Sequence, residues 1–291
     1  VRLGTRGSAL ALAQARQVAE LLGGEQQIEL VVIESSGSPA NDKARWTRSL
    51  DSALLEGEVD FALHSAKDVP AIRPDGIAAA GVPTREIASD SICGCSSLAD
   101  LPAGATVGTA SPRRAALIGS LREDLRVVEL RGNIDTRLRR LSEGDCDAAI
   151  LATAGLRRIG RETDGNPLDT ESFMPAAGQG TLLLEARSND QRALEVGGAI
   201  TNPESMATLA AERAVVIALN ADCHTSLGVY AQADQSTLSV EAICLAPNGS
   251  EWLRDRLEGD ISMPDELGSS LATRLLASGA ERLLAAGRGE H

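Results

Sequence analysis

Three times between residues 106 and 158 a short apolar strand runs into a turn of small residues and then into an arginine-bearing helix. Val107 leads to Ser111-Pro112-Arg113-Arg114, Val127–Leu130 to Arg131-Gly132-Asn133, and Ala148–Leu151 to Thr153-Ala154-Gly155-Leu156-Arg157-Arg158. Repeated strand–helix units of this kind predict an α/β fold. Each junction is expected to set backbone N–H groups and the positive end of a helix dipole beside arginine. Ser111 is placed to cap its helix and Pro112 to open it, so Arg113 and Arg114 fall in the first turn. In the next helix Asn133, Arg137 and Arg140 are spaced to share a face. One such junction reads as ordinary solvated arginine. Three in succession, at strand ends where α/β folds bind ligands, read as a pocket for a ligand with several negative groups.

The global charge runs the other way. The 291 residues carry a net charge of −13, which disfavours nucleic acid as a general partner and makes a local arginine cluster informative. Of the 28 basic residues only Lys43 and Lys67 are lysine, and arginine is the better fork for carboxylates. Hydrophobic residues make up 43% but aromatics only 2%, so the core must be aliphatic. Cys93, Cys95, Cys146, Cys223 and Cys244 match no zinc spacing, so no metal is expected and reduced thiols are the default. The chain opens directly in a strand, without a leader pattern, and no run reaches the ~20 apolar residues of a membrane span. The expectation is a cytoplasmic protein without membrane partners.

A fourth junction opens the chain: strand Val1–Gly4, then Thr5-Arg6-Gly7-Ser8, with Ser8 as the cap of an amphipathic helix. Residues 35–43 form a polar loop. Val59–His64 is a strand that delivers Lys67-Asp68 at its C-terminal end, where Asp68 is a candidate acid/base or ion-pair anchor. His64 reads as a packing or hydrogen-bonding residue. Small residues at 174–180 allow close backbone approach around Gln179. Leu182–Glu185 is a strand returning to the first domain. Glu204–Leu219 is a long helix, followed by the polar loop holding Cys223, a three-strand meander and one closing helix over Pro264–Ala286. The expected domains are 1–83 with 181–199, then 88–175, then 203–291.

Taken together, TRGSALALAQA at 5–15, HSAKDVP at 64–70, GTASPRR at 108–114, LRGNIDTRL at 130–138, AILATAGLRRIG at 149–160, PAAGQG at 175–180 and AERA at 211–214 resemble the porphobilinogen deaminase (hydroxymethylbilane synthase) family, in family order across nearly the whole chain. The resemblance implies two α/β lobes like those of periplasmic binding proteins, with the active site between them, and a small α+β C-terminal domain with an antiparallel sheet. It implies a transferase that condenses four porphobilinogen molecules head to tail on a covalent dipyrromethane cofactor, releasing hydroxymethylbilane and ammonia. Cys223 would carry that cofactor through a thioether. Asp68 would contact the pyrrole nitrogens and transfer protons. Lys67, Ser111, Arg113, Arg114, Arg131, Gly132 and Asn133 would hold the cofactor; Arg6, Ser8, Arg137, Arg158 and Gln179 would serve the substrate. The bottom-up reading agrees, since each pyrrole carries two carboxylates and a growing chain is a polyanion. Expelling ammonia needs an acid, and the cationic intermediate needs a stabilising charge.

Two stretches depart from the family pattern. The loop GSPANDKARWTR at 37–48 is shorter than usual, with Lys43, Trp46 and Arg48 as candidates for its basic and aromatic positions. Ala221-Asp222 stand where the family has glycines before the cysteine, which puts a carboxylate beside an anionic cofactor unless it points away. A relative with impaired turnover and a non-catalytic two-lobed binding protein for a small polyanion are the alternatives. The expected state is a monomer.

Overall fold

The computed structural model describes residues 1–24, 26–34, 43–222 and 224–288. The loop expected at 35–43 lies outside these residues except for Lys43, and so does Cys223. In chain order, β1 (Arg2–Thr5), α1 (Ala9–Leu21), β2 (Glu29–Val32), α2 (Lys43–Leu55), β3 (Phe61–Ser65) and β4 (Ile77–Gly81) come first, with a 3-10 turn at Ala66–Asp68. Next are β5 (Asp90–Cys93), β6 (Thr106–Thr109), α3 (Pro112–Leu121), β7 (Arg126–Glu129), α4 (Ile134–Ser142), β8 (Ala148–Ala152), α5 (Thr153–Arg158) and β9 (Asn166–Pro167). Then β10 (Leu182–Arg187), α6 (Gln191–Gly198) and α7 (Pro203–Ala218) precede β11 (Leu227–Asp234), β12 (Thr237–Leu245), β13 (Trp252–Asp260), α8 (Pro264–Ala277) and α9 (Ala280–Arg288).

The chain divides into two compact units, residues 1–86 with 180–206, and 87–179 with 207–291. Among the described residues, unit 1 holds a five-stranded sheet in the order β2–β1–β3–β10–β4. β1 runs parallel to β2 and β3, while β10 is antiparallel to β3 and β4. Helix α1 buries Ala11, Gln14, Ala15, Val18 and Ala19, the three-and-four spacing of a helix face laid on a sheet. Leu3, Phe61 and Leu184 pack in the same cluster.

Unit 2 repeats this topology as β7–β6–β8–β5–β9, with β6 parallel to β7 and β8 and β5 antiparallel to β8 and β9. β5 is buried along its whole length and β8 nearly so, as interior strands covered on both faces are. The second sheet of this unit is the expected meander, β11–β12–β13, all antiparallel. Ile243 and Leu245 of β12 share a core with Ile92, Val107 and Ile150, so the meander and the α/β sheet bury one another's apolar faces.

The closing helix departs from expectation. It is two helices, α8 and α9, because Ser278 ends the first and Gly279 takes φ +95°, a conformation glycine adopts without a steric penalty. No helix among the described residues is long and apolar enough to cross a membrane.

Candidate functional site

In unit 1, β1 and β3 are neighbours, and both present charged residues at their C-terminal ends. Arg6 and Ser8 follow β1. The Ser8 hydroxyl caps α1, accepting from the Ala11 N–H at 3.2 Å. Lys67 and Asp68 follow β3 in the 3-10 turn, each half-buried. Burial lowers the Arg6 guanidinium from its ordinary value, and the nearby Asp68 charge opposes that shift. Arg6 and Asp68, 62 positions apart in sequence, are thus brought within electrostatic reach by the pairing of β1 with β3.

Behind this turn lies a buried ionic cluster. Glu185 on β10 takes a two-pronged hydrogen bond from Arg73, with Nε to Oε1 at 2.8 Å and Nη2 to Oε2 at 2.8 Å. The same Nη2 also donates to Asp51 Oδ1 on α2 at 2.5 Å. His64 Nε2 lies 3.3 Å from Glu185 Oε2 without the alignment of a hydrogen bond. Burial raises the Glu185 carboxyl, but the adjacent His64 imidazole and the hydrogen bonds and charge of Arg73 outweigh it, and the net shift is downward. Asp51, His64 and Glu185 could offer a metal three ligand atoms within 4.8 Å of one another. The cation already bonded to both carboxylates is the Arg73 guanidinium.

In unit 2 the junction after β6 forms as expected. Ser111 caps α3, Pro112 opens it, and Arg113 and Arg114 lie in its first turn. Both arginines are buried, and both bind Asp90 at the start of β5: Arg113 Nη2 to Oδ2 at 2.8 Å and Arg114 Nη2 to Oδ1 at 2.6 Å. Their Nη1 groups donate to the carbonyls of Met174 and Ile150. Gln179 adds a third donor to Asp90, Nε2 to Oδ1 at 2.9 Å, and also reaches the Ala88 carbonyl at 2.7 Å. Burial pushes the Arg113 guanidinium down, while Asp90 pulls it up. Among the described residues, the buried Nε–H groups of Arg113 and Arg114 have no acceptor. Two cations on one carboxylate leave a net positive charge, and buried N–H donors seek an acceptor. This donor set suits a carboxylate-bearing ligand.

The other expected residues are more peripheral. Asn133 caps α4 through its Oδ1, which accepts from the Thr136 N–H at 2.9 Å. Gly132 just before it has φ +118°. Arg137 Nε donates back to the Gly132 carbonyl at 2.8 Å. Arg131 is exposed and paired with Glu129. The third junction differs from expectation. α5 has six residues, and Arg157 and half-buried Arg158 occupy its last turn, not its start. There the negative end of the helix dipole favours a cation. Asp222 Oδ1 accepts from the His224 N–H and the Thr225 hydroxyl, both at 2.9 Å, so this carboxylate is engaged by its own turn.

Sequence reading missed Asp90, Arg73, Glu185 and Glu212. Glu212 was visible as a carboxylate inside the apolar run AERAVVIAL; it is fully buried and accepts from the N–H groups of Gly178 and Ala231. Asp90 and Glu185 carried no local signal, because the donors to Asp90 are 23, 24 and 89 residues away and Arg73 is 112 residues from Glu185.

Comparison with known proteins identifies the family. The family described as "Porphobilinogen deaminase, dipyromethane cofactor binding domain" matches residues 1–195, and "Porphobilinogen deaminase, C-terminal domain" matches residues 206–277. The porphobilinogen deaminase of Thermus thermophilus is 41% identical, over 98% of this chain and 98% of that protein. Those of Nitrobacter winogradskyi, at 38% over 96% and 94%, and Thermobifida fusca, at 39% over 99% and 98%, are similar as well. Among solved structures, the methionine binding protein MetQ aligns more remotely, at 17% identity over 69% of this chain and 88% of that chain, with a TM-score of 0.43. Matches to both family domains, along nearly the full length, show that the chain belongs to the porphobilinogen deaminase family.

Proposed function

We propose a residue assignment for the activity of this family, the transferase reaction that yields hydroxymethylbilane in tetrapyrrole biosynthesis. Asp68 is the acid/base: it donates the proton that departs with ammonia and, as a carboxylate, stabilises the cationic pyrrole that results. Arg6 and Lys67 bind substrate and cofactor carboxylates beside it. Arg113 and Arg114, held by Asp90, bind cofactor carboxylates, with Ser111, Arg131, Gly132 and Asn133 around them. Ser8, Arg137, Arg158 and Gln179 complete the substrate set. Ser8, Ser111 and Asn133 each spend one oxygen on a helix cap, so they bind with what remains: a hydroxyl proton, a second lone pair or an amide N–H. Cys223 carries the dipyrromethane as a thioether. When bound, that group supplies the electron-rich pyrrole to which substrate is joined. The net positive, carboxylate-seeking pair at α3 fits such a group.

The observation that carries the assignment is Asp68 within electrostatic reach of Arg6 at the adjacent C-terminal ends of β1 and β3, with Lys67 next to it in the same turn. Peptide mass analysis tests the cofactor part. A dipyrromethane adduct is expected on the Cys223 peptide and absent after Cys223→Ser; an unmodified thiol in protein made by a pyrrole-competent cell overturns it. Asp68→Asn is expected to keep the adduct and lose turnover by about 100-fold or more, within the range for a general acid. Near-normal turnover would remove Asp68 from the role. The reading takes the enzyme as a monomer in the cytoplasm, without nucleic-acid or membrane partners. The net charge of −13 supports excluding nucleic acid, and light scattering that returned a stable dimer would overturn the monomer.

A further inference from the structure

The segment from His64 to Arg73 carries Asp68 near its middle, and both of its flanks meet one carboxylate. His64 precedes the turn and sits 3.3 Å from Glu185 Oε2, and Arg73 follows it and grips both oxygens of Glu185. Apolar burial holds the second half of this segment at Val69, which is 8% exposed, and does little beyond it. Pro70 is exposed, and Ile72 is 74% exposed. The Arg73 side chain, by contrast, is only 12% exposed, turned inward to Glu185 and Asp51. The first half is fixed by the Ser65 hydroxyl against Gln14 and by the Ala66 N–H, which donates to the Thr181 carbonyl at 3.0 Å. A buried ion set is a weak source of net stability, because desolvation cancels most of the attraction; what it can supply is one conformation.

We propose that Glu185 is a positioning residue for Asp68, gripping through Arg73 the far end of the segment that presents it and packing against His64 at its start. The inference rests on the acid/base reading of Asp68. Glu185 touches no reacting atom. It acts by restricting where the Asp68 carboxylate can stand, and reaction rates are sensitive to displacements near 1 Å. Arg73 is the other half of the device: its planar fork fixes direction as well as distance, which a lysine ammonium cannot do.

A double-mutant cycle on the holoenzyme tests this, with dipyrromethane content checked by mass and kcat and KM measured for porphobilinogen consumption. Glu185→Gln is expected to lower kcat by about 10-fold or more while KM stays within about threefold, because binding groups are left in place. In an Asp68→Asn background the same substitution is expected to change the residual kcat by less than about twofold, since the group it positions is gone. Equal losses in both backgrounds would mean a general structural role and overturn the proposal, as would an unchanged kcat in folded Glu185→Gln holoenzyme. If Glu185→Gln does not fold, Arg73→Lys, which keeps the buried cation, carries the same comparison with the same outcomes. Near-normal turnover in Asp68→Asn alone would instead sink the parent reading and this inference with it, so the two failures are told apart by the single variant.

Discussion

Asp90 is fully buried, yet it holds two guanidinium groups and an amide. Neither arginine could stay buried without it, since a charge left unpaired in the interior costs several kcal/mol. Asp90→Asn keeps the shape and removes the counter-charge, and is expected to lower unfolding free energy by about 3–5 kcal/mol in urea titration. A loss under ~1 kcal/mol would mean that the arginines turn to water instead. The cysteines make a second prediction. Burial pushes the thiols of Cys93 and Cys244 up to about 12, with the Asp164 charge adding to the effect at Cys93. At pH 8 the thiolate would then be about one part in ten thousand, and the thiolate is the reactive form. Ellman's reagent is therefore expected to leave both unmodified in the folded protein and to reach them only in denaturant. Rapid labelling of either peptide under native conditions would count against the buried placement.

At the scale of elements, the strand–turn–helix junctions do two jobs with the same residues. Asn133 was legible as a ligand candidate, and it is also the cap of α4. Gly132 before it has φ +118°, and a Cβ there would stand 2.8 Å from Thr136 Cγ2. Gly132→Ala is expected to cost about 1–3 kcal/mol from backbone strain, and Asn133→Ala about 1 kcal/mol from the lost cap. Urea unfolding should rank them in that order; the reverse order would mean that the turn relaxes. These elements could be read from sequence because caps, Pro at the first helical position and apolar strand runs are local signals. The break between α8 and α9 was hidden, since Ser278-Gly279 interrupts an apolar periodicity that continues on both sides. The arginines of α5 were misplaced by one turn because the helix is short. Arg73 and Glu185 were illegible for a different reason: their partnership exists only once β10 returns between β3 and β4.

For the whole molecule, acid should be the informative perturbant. Glu185, Asp60 and Asp190, all in unit 1, are each held below their ordinary values in the folded chain. As pH falls, the unfolded chain therefore takes up these protons first, and stability is lost. Their contribution is complete above the ordinary values, 4.5 for Glu185 and 3.8 for the two aspartates, and disappears as pH passes down through the folded ones. A second effect opposes this one. The net charge of −13 repels itself, and protonating exposed carboxylates relieves that repulsion. At about 0.15 M salt, charges more than ~8 Å apart are largely screened, whereas the buried contacts of Glu185 are not, so loss should win below about pH 4.5. The urea midpoint is expected to be nearly flat from pH 7 to about 5.5 and to fall below about 4.5. In Glu185→Gln the midpoint at pH 7 should start lower and the fall between about pH 5 and 4 should shrink, because the group that binds the first proton is missing. A wild-type midpoint that rose on acidification would show that self-repulsion, not the buried pairs, governs the acid limb.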